Sequence, residues 1–519
     1  MTEIPKTLNA ALDASVRAAP DAPVFYYRNE TWSYRRLGEA VERCAAGLHA
    51  LGIRRGDAFG FVVRNGPEFV ILFFALCRLG AVAVPVNFLE KGERLGFIFA
   101  DAGVKGCLTS REFLKNVLEA QRRAPALKHI FLKDSGGPHP GFEELLAAPT
   151  AAATDSDLGA DALVLLIYTA GTTGLPKGVM LTHGNFLANI ESCRQAIEIN
   201  ERDVFMCLLP MFHSFSWTVN VLLPIRLGAS IVVMETLLPF EPVLKAIWDR
   251  KVTVFCGAPP IFAALTQKIR GLKALAVRFV NPVRVAVSGA AALPGKVLED
   301  FEHAFHIPLI EGYGLTEASP VVSVNPLHRE RKAGTVGLPL PGVQVRILDD
   351  AERPQTIGEV GEICVKGANV TAGYYKRSEE TCAAFTADGW LKTGDLGRLD
   401  ADGYLTVVDR KKDLIIVKGL NVYPIEIENV LAGHPDVEEA AVLGLPDDTG
   451  DETILAFVVP RKGKTLDAPA LLGLCREKLA PYKVPKEVEI RSEFPKNAIG
   501  KILKKDLRGE AAARKGKSK

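Results

Sequence analysis

The sequence predicts an α/β protein: a large N-terminal domain of two αβ layered subdomains plus a β subdomain, then a small mobile α+β domain at the C-terminal end. Three observations predict it. From about residue 20 to 345, short β-rich apolar runs alternate with longer helical patterns, the order that builds parallel sheets covered on both faces. Near residue 343 the runs become closely spaced and are separated by Gly and Asp, as in a compact β unit. Past the charged connector Asp409–Asp413, helices and strands mix in a further unit. The boundaries are therefore residues 1–411, with the layered subdomains ending near 342 and the β subdomain covering about 343–411, and residues 412–519.

Taken in order, the strands of the first region are Phe59–Val63, Ala81–Pro85, Ile130–Leu132, Ser230–Met234, Thr253–Phe255 and Val283–Val287, each a short run rich in Val, Ile, Phe or Ala. The helices include Leu37–Leu51, Phe186–Ile197 and Phe240–Lys251, where apolar residues recur at helical spacing. Val343–Leu348, Gly361–Lys366 and Tyr404–Val408 are the strands of the β unit. The last unit reads as helix Pro424–Ala432, strands Val437–Leu443 and Ile454–Val459, helix Ala468–Leu479 and strand Val488–Arg491. The basic tail beyond Lys501 reads as a solvated or frayed end.

Composition excludes several classes. A net charge of +2 offers no general attraction to nucleic acid. The longest strongly apolar run, Val70–Cys77, ends at Arg78 and is far short of the roughly 20 residues that span a bilayer. Glu3 and Pro5 stand where a signal peptide would begin its apolar run. The nine cysteines are odd in number, contain no C-x-x-C pair and mostly have apolar neighbours, which predicts reduced core residues in a cytoplasmic protein.

Four segments carry chemistry. Tyr168-Thr169-Ala170-Gly171-Thr172-Thr173-Gly174-Leu175-Pro176-Lys177-Gly178 follows the apolar run Leu163–Ile167. Its glycines can turn backbone N–H groups toward an anion, its threonines add hydroxyls and Lys177 adds charge, a combination that grips phosphate. It is not the P-loop of ordinary NTPases, because Pro176 and Gly178 stand where G-x-x-x-x-G-K-[ST] needs its second Gly and its hydroxyl. Glu311-Gly312-Tyr313-Gly314-Leu315-Thr316-Glu317 fails the dinucleotide fingerprint at Glu317. It offers instead an aromatic able to stack on a base, a hydroxyl, and a carboxylate suited to Mg²⁺. Thr393-Gly394-Asp395 puts a carboxylate on a tight turn, placed to accept from vicinal hydroxyls. Pro495-Lys496-Asn497-Ala498-Ile499-Gly500-Lys501 puts a lysine just past a glycine turn.

In this order the four segments resemble the adenylate-forming superfamily of acyl- and aryl-CoA synthetases, luciferases and peptide-synthetase adenylation domains, and are closest to its fatty-acyl-CoA synthetases. The resemblance runs from Trp32-Ser33-Tyr34 to Lys501 and is supported by Phe212-His213, Ser288-Gly289-Ala290-Ala291, Gly361-Glu362-Ile363, Asp409-Arg410-Lys411-Lys412-Asp413 and Lys418-Gly419. It implies an AMP-binding N-terminal domain, a C-terminal lid with a hinge at 409–413, and ATP, Mg²⁺ and CoA as cofactor and co-substrates.

The same resemblance implies the roles. Thr169, Gly171, Thr172, Thr173, Gly174 and Lys177 surround the β- and γ-phosphates. Gly289, Ala290, Ala291, Gly312, Tyr313 and Gly314 line the adenine site. Thr316 touches the α-phosphate, Glu317 with Thr169 holds the metal, and Asp395 and Arg410 hold the ribose. Lys501 reaches the α-phosphate and the substrate carboxylate, His213 sits at the floor of the site, Lys412 is the hinge, and Lys418 and Gly419 lie near the CoA channel. His213, Thr316, Glu317 and Lys501 are the expected catalytic residues. Two departures stand out: Ala170 replaces a frequent serine, and Asp409 replaces a frequent glycine.

The apolar stretch around Phe212 and Trp217, with the small residues Gly257, Gly289 and Gly312, suggests a pocket for an acyl chain. Trp217 also matches a tryptophan that gates the tunnel in some long-chain acyl-CoA synthetases. The expected reaction is therefore activation of a medium- to long-chain fatty acid as acyl-AMP and its transfer to CoA. An aryl-CoA ligase of the coumarate or benzoate kind, and a stand-alone adenylase that loads a carrier protein, are the alternatives. Expected partners are small molecules, not nucleic acid. Peripheral membrane contact, and a monomer or a homodimer, stay open.

Overall fold

Strands buried on both faces read as nearly continuous apolar runs, and the central strands here do, with Ser230 and Ser288 only at strand ends. Every residue of Ala58–Val62, Val82–Pro85, Ser230–Val233 and Val285–Ser288 is buried. In the computed structural model, which describes residues 5–134, 136–147, 158–170, 175–236, 239–268, 281–417, 420–446, 452–497 and 500–517, these strands belong to two large sheets.

One sheet has nine strands in the spatial order Leu338–Pro339, Val321–Val324, Leu309–Gly314, Val285–Ser288, Val254–Gly257, Val204–Cys207, Ser230–Val233, Pro23–Tyr27 and Glu30–Ser33. Its centre is parallel and both ends are antiparallel. The other has six strands in the order His129–Leu132, Val104–Thr109, Ala58–Val62, Val82–Pro85, Leu163–Ala170 and Pro176–Thr182. The apolar run Val70–Cys77 lies within the helix Pro67–Arg78, buried on all sides. Its Phe69 meets Phe61 of the six-stranded sheet at 4.7 Å and Trp217 at 5.1 Å. This helix therefore sits in the main core, as an all-round apolar helix must. Among the described residues no helix is long and apolar enough to cross a membrane.

An antiparallel sheet follows, with strands Gln344–Leu348, Gly361–Lys366, Leu391–Leu399 and Leu405–Arg410. Beyond it a three-stranded sheet, Val437–Pro446, Glu452–Pro460 and Glu487–Ile490, packs with helices Pro424–Ala432 and Ala468–Lys478 around its own core of Ile427, Leu431, Leu471 and Cys475. The architecture is α/β, as the alternation predicts. Two expectations change. The basic tail is not frayed: it forms the helix Lys504–Lys517, whose Leu507 and Ala511 are buried beside Phe457 and Phe494. Eight cysteines are buried as expected, but Cys382 is exposed.

At the N-terminal ends of the parallel strands, Arg284 holds Asp203 through Nε at 2.8 Å and Nη2 at 2.7 Å, and Thr253 Oγ1 donates to the same carboxylate at 2.7 Å. Burial pushes Asp203 up, but these bonds and the Asn200 N–H outweigh it and hold the carboxyl below its ordinary value. A lowered folded value means stability that is present at neutral pH and lost as pH falls. Arg284→Ala is expected to cost about 2 kcal/mol at pH 7, because a nearly buried carboxylate loses its partner. The urea midpoint measures the loss, and the gap between variant and parent should narrow in acid.

Candidate active site

Two neighbouring parallel strands end together at Gly257 and Ser288, and their register partner Glu311 lies in the next strand, which runs on to Gly314. Crevices beyond the C-terminal ends of parallel strands are where open α/β sheets bind ligands. The residues that follow are small. Gly289 N–H donates to Gly257 O at 3.1 Å, and a Cβ at Gly289 would stand 3.0 Å from the Phe215 ring. A Cβ at Gly257 would stand 3.2 Å from the Phe262 ring, and one at Gly312 3.2 Å from Ser323 O. Ala290 adopts φ +69°, which an alanine takes only when its surroundings impose it. The row Gly257, Gly289, Ala290, Ala291 and Gly312 thus lies along one edge.

Tyr313 and Gly314 finish the strand that begins at Leu309. The Tyr313 hydroxyl donates to Asp395 Oδ2 at 2.7 Å. Asp395 sits opposite Arg410 on the adjoining antiparallel strand, and Arg410 Nε lies 3.3 Å from Asp395 Oδ1. Asp395 does not stand on the expected tight turn: it lies within the strand Leu391–Leu399, where the register against Gly361–Lys366 shifts, Gly394 takes φ +73° and Thr393 Oγ1 accepts the Asp395 N–H at 3.1 Å. Tyr313, Asp395 and Arg410, which sequence reading assigned to one nucleoside, are therefore in contact.

Thr316 and Glu317 lie on a short 3-10 turn. Thr316 Oγ1 is 3.3 Å from Ser214 Oγ, which joins the turn to the loop of His213. The Tyr374 hydroxyl donates to Glu317 Oε1 at 3.1 Å. Burial raises the Glu317 carboxyl despite that bond and the charge of Arg410. Thr169 and Lys177 face each other across the antiparallel pair Leu163–Ala170 and Pro176–Thr182, and Lys177 Nζ lies 5.3 Å from the centre of the Tyr374 ring. Tyr374 therefore connects the lysine of the phosphate-type loop to Glu317. Gly171, Thr172, Thr173 and Gly174 lie outside the described residues, as do Lys418 and Gly419.

His213 Nδ1 accepts the Phe215 N–H at 3.3 Å, so the neutral ring carries its proton on Nε2. Burial, and then the charge of Lys501, push His213 down to about 4. Lys501 reaches this place hydrogen-bonded to Asn497. Asn497 Oδ1 accepts the Lys501 N–H at 2.8 Å, Gly500 turns at φ +84°, and a Cβ at Gly500 would lie 3.7 Å from Pro260. Burial lowers the Lys501 amine to about 8; Arg410 and Lys412 add to the lowering, while Asp395 and Asp413 oppose it. Lys412 itself lies on the 3-10 turn Lys411–Asp413.

The acyl-pocket residues divide. Gly257, Gly289 and Gly312 line the row described above. Phe212 packs edge-on against Phe88 at 5.5 Å. Trp217 is 1% exposed and packs on Phe69 and Phe73, so in this structure its ring is core and not an open wall. Sequence reading assigned no role to Glu311 or Tyr374. Glu311 is buried, accepts the Leu293 N–H at 2.8 Å and is pushed up to about 7 by burial. It ties the strand before Tyr313 to the loop after Ala291. Only its place inside a motif could have drawn attention to it.

A model of the AMP-binding enzyme family matches residues 12–375, and a model of the AMP-binding enzyme C-terminal domain matches residues 426–501. Long-chain-fatty-acid–CoA ligase of Salmonella typhimurium is 33% identical over 523 residues, covering 95% of this chain and 92% of its own length. Feruloyl-CoA synthase of an Amycolatopsis species is 35% identical over 493 residues, covering 95% and 96%. The ATP-bound structure of MatB from Rhodopseudomonas palustris aligns with a TM-score of 0.89 at 29% identity, over 97% of this chain and 98% of that one. The apo structure of the same protein aligns at 0.78 over the same shares, so this chain follows the ATP-bound arrangement more closely.

The surroundings of Lys501 carry a direct test. In the ligand-free protein its amine should become reactive toward an amine-selective acylating reagent with a midpoint near pH 8. Arg410→Ala should move that midpoint upward, since it removes a nearby positive charge. Peptide mapping of the labelled site across pH measures both.

Proposed function

The chain belongs to the AMP-binding enzyme family, and from that premise we propose that it is an acid–CoA ligase that adenylates a medium- to long-chain fatty acid with ATP and passes the acyl group to CoA. The observation that carries the reading is the delivery of Lys501 to Asp395, Arg410 and His213. A carboxylate must approach the α-phosphate, and at ~4 Å two unit charges repel by ~4 kcal/mol at an effective dielectric of ~20. A half-buried cation between them, Lys501, offsets that. The carboxylate oxygen bonds to the α-phosphorus while the bond to pyrophosphate breaks. The thiol of CoA then attacks the acyl carbon, loses its proton and releases AMP. Neither step needs an enzyme nucleophile, so catalysis rests on positioning and electrostatic stabilisation.

In this reading Tyr313 supports the adenine, Asp395 and Arg410 take the ribose hydroxyls, and Thr169 and Lys177 flank the loop around the terminal phosphates. Thr316 touches the α-phosphate, and His213 presents Nε2–H at the floor of the site. Among the described residues no group of three or more His, Cys, Asp or Glu could hold a metal. A single desolvated carboxylate, Glu317, with the Thr169 hydroxyl fits Mg²⁺, which keeps waters and takes phosphate oxygens for its remaining positions. Bound there, the ion would neutralise charge on the phosphates. Lys412 would be the pivot about which the C-terminal unit turns between the two steps.

The acid is inferred from the row of small residues Gly257, Gly289 and Gly312, and from the Salmonella relative named for long-chain fatty acids. The feruloyl-CoA synthase at 35% identity supports an aromatic acid as the second reading.

Two experiments decide these points. AMP release over C8–C18 fatty acids, coumarate, ferulate and benzoate, with and without CoA, should be greatest for a fatty acid and should depend on CoA. Preference for an aromatic acid removes the fatty-acyl reading, and release that is indifferent to CoA removes CoA as acceptor. Lys501→Ala should slow pyrophosphate exchange about 10²–10³-fold, as losing a key electrostatic donor does, and should largely spare thioester formation from supplied acyl-adenylate. Exchange at the parental rate would exclude the role given to Lys501.

A further inference from the structure

The helix Pro424–Ala432 opens without a cap of its own: Tyr423, at the cap position, makes no side-chain bond to the first turn. Its N–H groups need acceptors. Ile425 N–H finds one in Asp409 Oδ2 at 3.0 Å, while Asp409 Oδ1 accepts the adjacent Arg410 N–H at 2.7 Å. Asp409 lies on the strand Leu405–Arg410, before the turn Lys411–Asp413, and the helix lies after it. The capping bond therefore crosses the connector. Lys504 strengthens it. Its ammonium is 2.7 Å from Glu428 on the same helix, and its charge favours the Asp409 carboxylate against burial. Glu428 in turn accepts the Val442 N–H at 2.7 Å, fixing Lys504 to the three-stranded sheet. Lys504 begins the last helix, three positions beyond Lys501.

We propose that Asp409 is a positioning residue for adenylation: from the N-terminal side of the pivot it caps a helix on the far side, and so holds the C-terminal unit where Lys501 enters the site. The proposal rests on the reading that Lys501 serves adenylation and that the unit turns about Lys412. The bond must break when the unit turns, so its strength biases the protein toward the adenylating arrangement. A carboxylate at a helix N-terminus is also favoured by the helix dipole. Glycine, the residue that often stands at this position in the family, offers no such acceptor.

The test uses the full-length protein and its best acid, comparing Asp409→Ala and Asp409→Asn with the parent. Three quantities are measured: pyrophosphate exchange, thioester formation from supplied acyl-adenylate, and trypsin cleavage after Arg410, Lys411 and Lys412 without substrates. Asp409→Ala should lower exchange about two- to thirtyfold, the range that a capping bond carries. Thioester formation should hold or rise, and cleavage at the connector should quicken. Asp409→Asn keeps an acceptor for the Ile425 N–H and should fall between the two; it decides the matter if the alanine variant does not fold. Equal losses in both half-reactions, or unchanged exchange with unchanged cleavage, overturn the proposal. If the parent adenylates no acid, the proposed function fails, and the cleavage rate alone judges the latch.

Discussion

The carboxylate of Asp395 is where the parts of this protein meet. It is nearly buried, and a buried carboxylate needs donors or cations around it. It receives the Tyr313 hydroxyl from the nine-stranded sheet and Arg410 from the end of the four-stranded one. Lys501, from the C-terminal unit, feels both Asp395 and Arg410. Burial first, and then the charges of Arg410 and Lys412, lower the Lys501 amine, while Asp395 and Asp413 oppose them. A desolvated ammonium beside Arg410 would be favoured by an anionic substrate, which is the kind of ligand the proposed reaction brings.

The sheets supply the frame for that charge. Parallel strands stand in register, so the loops after Gly257 and Ser288 and the strand end after Glu311 come to one edge. Side chains on those loops would fill the space, and Gly289 shows how little there is: even one Cβ would press on Phe215. Glu311 then ties two of the loops together from below. On the other side, Tyr374 links Glu317 to Lys177. Large neighbours, Phe215 and Phe262 among them, stand directly against the small residues of this row.

Much of this was legible in the sequence, for reasons that differ by element. The buried strands were readable because burial on both faces demands unbroken apolar runs, and the helices because their apolar residues recur at helical spacing. Boundaries drifted by a few residues: the run read as Leu37–Leu51 starts at Tyr34, where Ser33 accepts the Arg36 N–H and caps the helix. The C-terminal helix was misread because its composition is basic and only Leu507 and Ala511 mark its buried side. Trp217 was ambiguous for a related reason. An aromatic beside a histidine reads the same whether it faces a pocket or Phe73, and only the packed helix Pro67–Arg78 decides between them.

By itself, then, the sequence determined the α/β class and the chemistry of each short segment: glycines and threonines around Lys177, an aromatic and two oxygen donors in Tyr313–Glu317, a carboxylate at Asp395, a lysine after Gly500. Those properties are local, set by spacing and residue type over a few positions. The tertiary structure alone decided which segments share a site. Tyr313 and Asp395 are 82 residues apart and touch because the end of one sheet lies against a strand of another. Asp409 and Ile425 are 16 apart, yet their bond depends on how a whole unit is turned about its connector. Contacts of that kind follow from strand order and from the orientation of separately packed cores, and no short-range pattern in the chain encodes them.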